Sequence, residues 1–253
     1  MSLRILSYNI LEGGEDRLSH IAHTIERQRP DVVALLEANS RTNAETLAQQ
    51  LGMSLSFGEG NSEYYVAWLS RLPVVRTENY RRSVFSKTLL KIEVPWENTI
   101  VALFATHLSA GRKQENEQDR VAEMREILSI LQQHKQQPHV LVGDMNSLCP
   151  GDEIDIATYL ATATEKGEEK MRPDEFVREV VALVLQAGYT DCYRKLHPQE
   201  RGYTYKLPSR PSLRLDYIFA SPDLTAHLTA CDIVADDEAR SASDHLPIWA
   251  QFS

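Results

Sequence analysis

Six short apolar runs in this sequence carry a polar residue at a boundary. "LSYN" ends in Asn9, "VVALLE" in Glu37 and "VALFATH" in His107. "HVLVGDMN" delivers Asp144 and Asn146, "LRLDYIFAS" contains Asp216, and "SASDHLPI" opens on Asp244 and His245. Singly, each has an ordinary structural explanation. Asn9 suits a turn, His107 suits a hydrogen-bonded structural imidazole, and Asp144-Met145-Asn146 suits a turn after a strand. Asp216 fits that explanation less well, because a carboxylate among apolar strand neighbours is costly unless paired or hydrogen-bonded. Taken together the residues form a set of carboxylates, two imidazoles and two amides, with no cysteine nucleophile and no GxSxG elbow. Such a set suits a hard, oxygen-preferring cation such as magnesium, with histidine as base or phosphate contact. The matching reaction is attack by water on a phosphate ester, whose developing negative charge needs cationic and amide donors.

These groups meet only if the runs that carry them are strands ending at one edge. The first four present their polar groups at the C-terminal end of the run, and the last presents Asp244-His245 at its start. An antiparallel last strand brings all of them to the same side. The pattern between them supports this. "LRILSYN" alternates like a strand. Leu18, Ile21 and Ile25 follow at helical spacing, with Pro30 closing the helix. Asp31 to Glu37 is a nearly continuous apolar run, as in a strand buried on both faces. "AETLAQQLG" predicts a short helix stopped by Gly52. "MSLSFG", "YYVAWLS" and "FSKTLLKIEV" predict antiparallel strands between Met53 and Glu93. Thr99 to His107 is another strand.

The stretch from Gln114 to Lys135 predicts the clearest helix, with Val121, Met124, Leu128 and Leu131 on one stripe. Helices are expected over Ile154 to Ala163 and Asp174 to Gln186. Closing strands are expected over Leu213 to Ser221 and Leu246 to Phe252. About ten short strands are too many for one open sheet to hold comfortably. The expected fold is therefore α/β, with two packed mixed sheets flanked by helices. No internal repeat or flexible linker interrupts the chain, so one domain over residues 1–253 is expected. The charged segment "EKGEEKMRPDE" (Glu165 to Glu175) is expected to form an insertion at the rim that limits substrate size, or else a solvated surface loop.

Bulk properties narrow the function classes. The chain has 253 residues and a formal net charge of -9. It contains no window of roughly 18 or more apolar residues, so no membrane span is expected. No secretory leader is expected either. Three scattered cysteines, Cys149, Cys192 and Cys231, lack any zinc-ligand spacing and fit a reduced, cytoplasmic setting. The acidic balance argues mildly against tight nonspecific binding to long duplex DNA. It leaves room for a small phosphorylated substrate, or for nucleic acid held by a local patch.

At its polar strand ends the sequence resembles the endonuclease/exonuclease/phosphatase superfamily, the deoxyribonuclease I-like fold. The matching stretches are "LSYNI", "LLEA", "ATHLS", "GDMNS", "LRLDYIFAS" and "SASDHLPI", in the family order and spanning nearly the whole chain. "WLSRLPVV" is similar to a family strand around a Ser-Arg pair, which brings in Arg71. The resemblance implies a four-layer α/β sandwich and hydrolysis of a phosphate ester with magnesium, manganese being a possible substitute.

It also implies roles for individual residues. Glu37 is the main metal ligand, Asn9 shapes the metal and phosphate site, and Asp244 lies near the metal. Asp144 orients or deprotonates the attacking water, and Asn146 holds a phosphoryl oxygen. His107 donates to the phosphate. His245 contacts the phosphate or acts as base, oriented by Asp216. Asp144 and His245 both remain open as the base.

The branch signals diverge. Leu11, followed by Glu12, stands where abasic-site endonucleases often carry an acid. His107 favours the branch with deoxyribonuclease I, sphingomyelinases and deadenylases. Gly188 to Pro208 resembles the abasic-endonuclease stretch, with Tyr205 at the place of an aromatic substrate contact. The expectation is a monomeric, metal-dependent phosphodiesterase acting by in-line attack of water, with a nuclease-type substrate favoured. A small-molecule or lipid-headgroup phosphoesterase is the alternative, and an inactive binding module on the same fold is a remote one.

Overall fold

The computed structural model describes residues 2–111, 113–154, 178–205 and 212–253. Six strands form the first sheet: β1 (Leu3–Asn9), β2 (Val32–Leu36), β3 (Ser54–Gly58), β4 (Val66–Ser70), β11 (Leu228–Ile233) and β12 (Ile248–Phe252). Their order across the sheet is β11-β12-β1-β2-β4-β3. The second sheet holds β5 (Arg76–Tyr80), β6 (Leu89–Trp96), β7 (Thr99–His107), β8 (His139–Asp144), β9 (Thr190–Asp191) and β10 (Asp216–Ala220). Its order is β5-β6-β7-β8-β10-β9. Both sheets are mixed. β1 pairs with β2, and β7 with β8, in parallel; the other ladders are antiparallel.

The sheets stack through side chains that alternate along each strand. Leu3, Ile5, Val32, Ala34, Leu36 and Trp68 of one sheet meet Leu90, Ile92, Leu103, Val140, Val142 and Ile218 of the other. Trp68 also donates its indole Nε1 to the carbonyl of Leu90 at 3.1 Å, so the largest buried residue ties the sheets with a hydrogen bond as well as with area. Each such large side chain contributes roughly 1.5–3 kcal/mol on burial.

The outer face of the first sheet is covered by α1 (Leu18–Gln28) and α2 (Arg41–Leu51), which pack Ile21, Ile25 and Leu47 over Leu6, Val33 and Leu35. The second sheet carries α3 (Gln114–Gln132) and α4 (Glu179–Gln186), whose Met124, Ile127, Val180 and Val184 cover Phe104, Leu141 and Phe219. The result is the expected four-layer α/β sandwich. Short helices α5 (Cys192–Leu196), α6 (Pro222–Thr225) and α7 (Asp237–Ala242) and a 3-10 helix over Glu12–Arg17 complete the described elements.

Several expectations change in detail. Gly52 ends α2 as expected, in the left-handed conformation with its N–H on the carbonyls of Ala48 and Gln49. The helix foreseen to Lys135 stops at Gln132. β5, β9 and β11 were not foreseen, and the ladder expected through Met53–Glu93 is divided, with β4 and β5 in different sheets. The helix expected over Ile154 to Ala163, apart from Ile154, and the charged segment Glu165 to Glu175 lie outside the described residues. So does the start of the helix expected from Asp174. Among the described residues no helix is long and apolar enough to cross a membrane.

Two features of β8 generate tests. Gly143 has φ +148°, and a Cβ placed there would stand 1.8 Å from the carbonyl oxygen of Thr106 on β7. Because the obstacle is backbone, Gly143→Ala is expected to destabilise the fold by at least about 3 kcal/mol, read as a lowered urea midpoint or insoluble protein.

His139, at the other end of the strand, is buried. Its ring nitrogens lie 2.7 Å from the Gln137 carbonyl and 2.7 Å from the Tyr189 hydroxyl. Burial pushes its pKa below the ordinary 6.5, against the Gln137 carbonyl, which favours the charged ring. Below pH 6.5 the unfolded chain therefore takes up a proton that the folded ring refuses. Stability should be full above that pH and decline as pH falls through it towards the depressed folded value. Denaturation midpoints between pH 8 and 5 should fall less steeply in His139→Asn than in the parent; equal slopes reject this assignment.

Candidate active site

Strand direction brings the polar ends together. Asn9 ends β1 opposite Leu36, so Glu37 follows at the same edge. His107 pairs with Asp144 across the parallel β7–β8 ladder, and Asp144 pairs with Asp216 across the antiparallel β8–β10 ladder. β12 runs antiparallel to β1, so Asp244 and His245 enter beside Asn9, where Ser243 Oγ donates to the Asn9 carbonyl at 2.7 Å. The first sheet thus supplies Asn9, Glu37, Asp244 and His245. The second supplies His107, Asp144, Asn146 and Asp216.

Asp144 sits at the centre, with 2% of its surface exposed. Its Oδ1 accepts the Asn146 N–H at 2.9 Å. Its Oδ2 accepts Asn9 Nδ2 at 3.3 Å and faces His107 Nε2 at 3.5 Å and His245 Nε2 at 3.8 Å. Burial raises the Asp144 pKa to about 7, the Asp216 charge adds to this, and His245, the Asn146 N–H and Lys87 oppose it.

His245 Nδ1 makes a 2.7 Å hydrogen bond to Asp216 Oδ2. Burial disfavours its charged ring, but Asp216 and Asp144 outweigh burial and lift its pKa to about 10. His107 is different. Burial, with Lys87 and His245 nearby, holds it neutral, and its Nδ1 is buried without a partner. The site therefore holds one imidazole positive and one neutral.

Glu37 accepts Asn9 Nδ2 on Oε1 at 3.1 Å and the Glu12 N–H on Oε2 at 3.0 Å. Asn9 Oδ1 accepts the Leu11 N–H at 3.1 Å. As placed, it bridges the Glu37 and Asp144 carboxylates through its nitrogen and does not offer them an oxygen. Asp144, Asp216 and His245 have ligand atoms within 4.8 Å of one another. Asp216 and His245 already engage each other, whereas Glu37 is half-buried and lines the neighbouring cleft of about 450 Å³. The carboxylate oxygens that Glu37 offers to that cleft suit a hard cation, and the partnerless buried Oδ1 of Asp216 is a further unspent acceptor. Asp244 is half-buried, with a long 3.5 Å contact from Ser243 Oγ.

Tyr205 is brought to the site. It bridges to His245, and the two rings lie 5.1 Å apart, centroid to centroid. Arg71 is not. β4 runs antiparallel to β2, so its C-terminal end lies at the opposite edge of the sheet. There the guanidinium binds the carbonyls of Pro30 and Leu51, an anchoring role that corrects the expected substrate contact.

Lys87 was missed. It is 5% exposed, donates Nζ to the Leu108 carbonyl at 2.7 Å, and is the one lysine or arginine among the described residues lining the cleft. Burial lowers its pKa, while Asp144, Glu123 and Glu37 hold it up. Its signal was positional. Leu89 pairs with Thr106, so a lysine two residues before Leu89 must lie near His107. Glu12 lines the same cleft, one place beyond Leu11.

A paired-sheet sandwich with carboxylates, imidazoles and amides converging on one mouth defines a phosphoester-hydrolase architecture. The chain belongs to the Endonuclease/Exonuclease/phosphatase family, whose model matches residues 6–245. It is 25% identical over 279 residues to exodeoxyribonuclease III of Haemophilus influenzae, covering 99% of this chain and 100% of that protein. An AP endonuclease from Archaeoglobus fulgidus superposes with a TM-score of 0.78 at 20% identity, covering 99% of both chains. A 3′ phosphatase from Neisseria bound to a product DNA hairpin gives 0.75 at 22% identity, again covering 99% of both.

The dyad makes a direct prediction. Asp216→Asn removes the charge that supports the His245 ring and should lower kcat by roughly 10²- to 10⁴-fold with an unchanged circular dichroism spectrum. Parental turnover in the folded variant would reject the dyad.

Proposed function

We propose that this chain is a divalent-cation-dependent phosphodiesterase that activates water for in-line attack on a phosphate ester in nucleic acid. The observation that carries the reading is the hydrogen-bonded chain Glu37–Asn9–Asp144 facing the His245–Asp216 dyad across the two sheets.

Asp144 is the proton acceptor. Its carboxyl is tuned to about 7, near the working pH of a general base, and it is held by Asn146 and Asn9 on both oxygens. His245, kept positive by Asp216 and Asp144, donates from Nε2 to a phosphoryl oxygen. Lys87 supplies a second positive charge from the cleft wall, and Asn146 keeps one amide hydrogen beyond the one given to Leu108. Neutral His107 donates from Nε2, the ring nitrogen that faces Asp144, to the phosphate or to Asp144. Glu37 would hold magnesium, with Asp144 and Asp244 nearby, and the cation would neutralise charge on the phosphoryl and leaving oxygens.

The relatives named above, an exodeoxyribonuclease, an abasic-site endonuclease and a phosphatase with a DNA product, support a nuclease-type substrate. A second reading, a small phosphodiester, is favoured by the acidic cleft rim at Glu12 and Asp119 and by the net charge of -9.

The test uses purified protein with a hairpin bearing a 3′ phosphate, an abasic duplex, single-stranded DNA, and bis(p-nitrophenyl) phosphate, with and without magnesium. Turnover is expected with magnesium and is abolished by chelator. Glu37→Gln should lower it by about 10²-fold or more at unchanged melting temperature. Undiminished turnover in chelator or in Glu37→Gln overturns the cation's role. Turnover of the aryl diester alone, with no salt-dependent DNA cleavage, favours the small-substrate reading.

A further inference from the structure

The Asp216–His245 dyad spans two sheets, and no ladder joins its halves. Asp216 opens β10 in the second sheet, while His245 precedes β12 in the first. A 2.7 Å hydrogen bond between them requires the two strand starts to hold a fixed separation. Interior packing sets the offset of the sheets, but the second carboxylate oxygen of Asp216 is buried with no partner, so contacts to the backbone are what can fix the two strand starts at finer scale.

Among the described residues, Thr204 hydrogen-bonds to both backbones. Thr204 is completely buried in the segment that runs alongside the dyad. Its Oγ1 accepts the N–H of Leu215 at 3.0 Å and the N–H of Asp216 at 3.1 Å. Its carbonyl accepts the N–H of Leu246 at 2.6 Å, and its own N–H goes to the Leu213 carbonyl at 2.9 Å. Its neighbour Tyr205 lays its ring against His245. We propose that Thr204 is a positioning residue, a clip that pins the start of β10 through its hydroxyl and the His245 segment through its carbonyl, and so sets the aim of His245 at the reacting phosphate.

The hydroxyl is the replaceable part of the clip. Valine has nearly the same shape but no acceptor, and it would leave two buried N–H groups without a partner. Serine keeps the acceptor. The kinetic arm of this proposal rests on the phosphodiesterase reading above, so a second arm is independent of activity.

With bis(p-nitrophenyl) phosphate and magnesium, Thr204→Val should lose about 100-fold in kcat with KM changed by less than about 2-fold. Thr204→Ser should return kcat to within about 3-fold of the parent, since the geometry is what sets the rate. In the proton spectrum, the downfield His245 Nδ1–H resonance should vanish in Thr204→Val and persist in Thr204→Ser. A folded Thr204→Val protein with parental kcat, or with that resonance intact, overturns the proposal. If the valine variant does not fold, hydrogen exchange on the parent decides. The amides of Leu215, Asp216 and Leu246 should be protected to a common degree, and rapid exchange of any one overturns the clip. A parent that turns over no phosphate ester defeats the functional reading alone, and the resonance and exchange measurements then judge Thr204.

Discussion

A carboxylate that is 2% exposed lies where two sheets meet, and the arrangement of the site follows from making Asp144 tolerable there. An isolated buried charge costs several kcal/mol unless it is paired or hydrogen-bonded. Its partners come from both sheets. Asn146 follows it in its own chain turn, Asn9 reaches it from β1, and the two imidazoles face it at longer range. Hydrogen bonds of this kind form only when the sheets keep a fixed offset. The same offset is what the interior packing of Trp68 and its neighbours enforces. Core and site are thus one constraint seen at two depths. A shift of one sheet against the other would open apolar voids and strand the Asp144 charge together.

Much of this was legible because buried strands must be apolar while site residues must not be. Wherever β1, β2, β7 and β8 end, the change from apolar to polar is abrupt, and the parallel register then fixes which ends coincide. The strands that escaped lie at or near edges. β5, "RTENY", is largely exposed, and β11 buries little beyond Cys231. A strand with water on one side and half a neighbour on the other need not alternate.

Arg71 was misplaced for a related reason. A local Ser-Arg likeness carries no direction, and only the antiparallel β2–β4 pairing shows that it lies at the far edge. Lys87 was hidden among serine and threonine at a strand start, and Thr204 by distance. A threonine whose partners lie at Leu215 and Leu246 looks, in sequence, like any other threonine.

The backbone itself gives a further reason why local reading fails at the mouth of the sandwich. Leu11, Glu12, Glu37 and Asn146 all adopt positive φ, at 51°, 50°, 55° and 47°. For residues other than glycine, such a conformation costs roughly 1–2 kcal/mol each, less for asparagine. Two of the four carry groups assigned to the reaction, and the other two form the turn whose Glu12 N–H grips Glu37. Strain collected at one place persists only if surrounding contacts overdetermine it. Here they do. The Glu37 carbonyl accepts the Gly13 N–H at 2.7 Å, and Asp144 Oδ1 accepts the Asn146 N–H. The conformation that local propensity resists is the one that turns a carboxylate out of a buried strand towards the cleft. Glycine would relieve the strain at position 37 but would remove the carboxylate, so the chain retains glutamate there and the rest of the sandwich holds it in place.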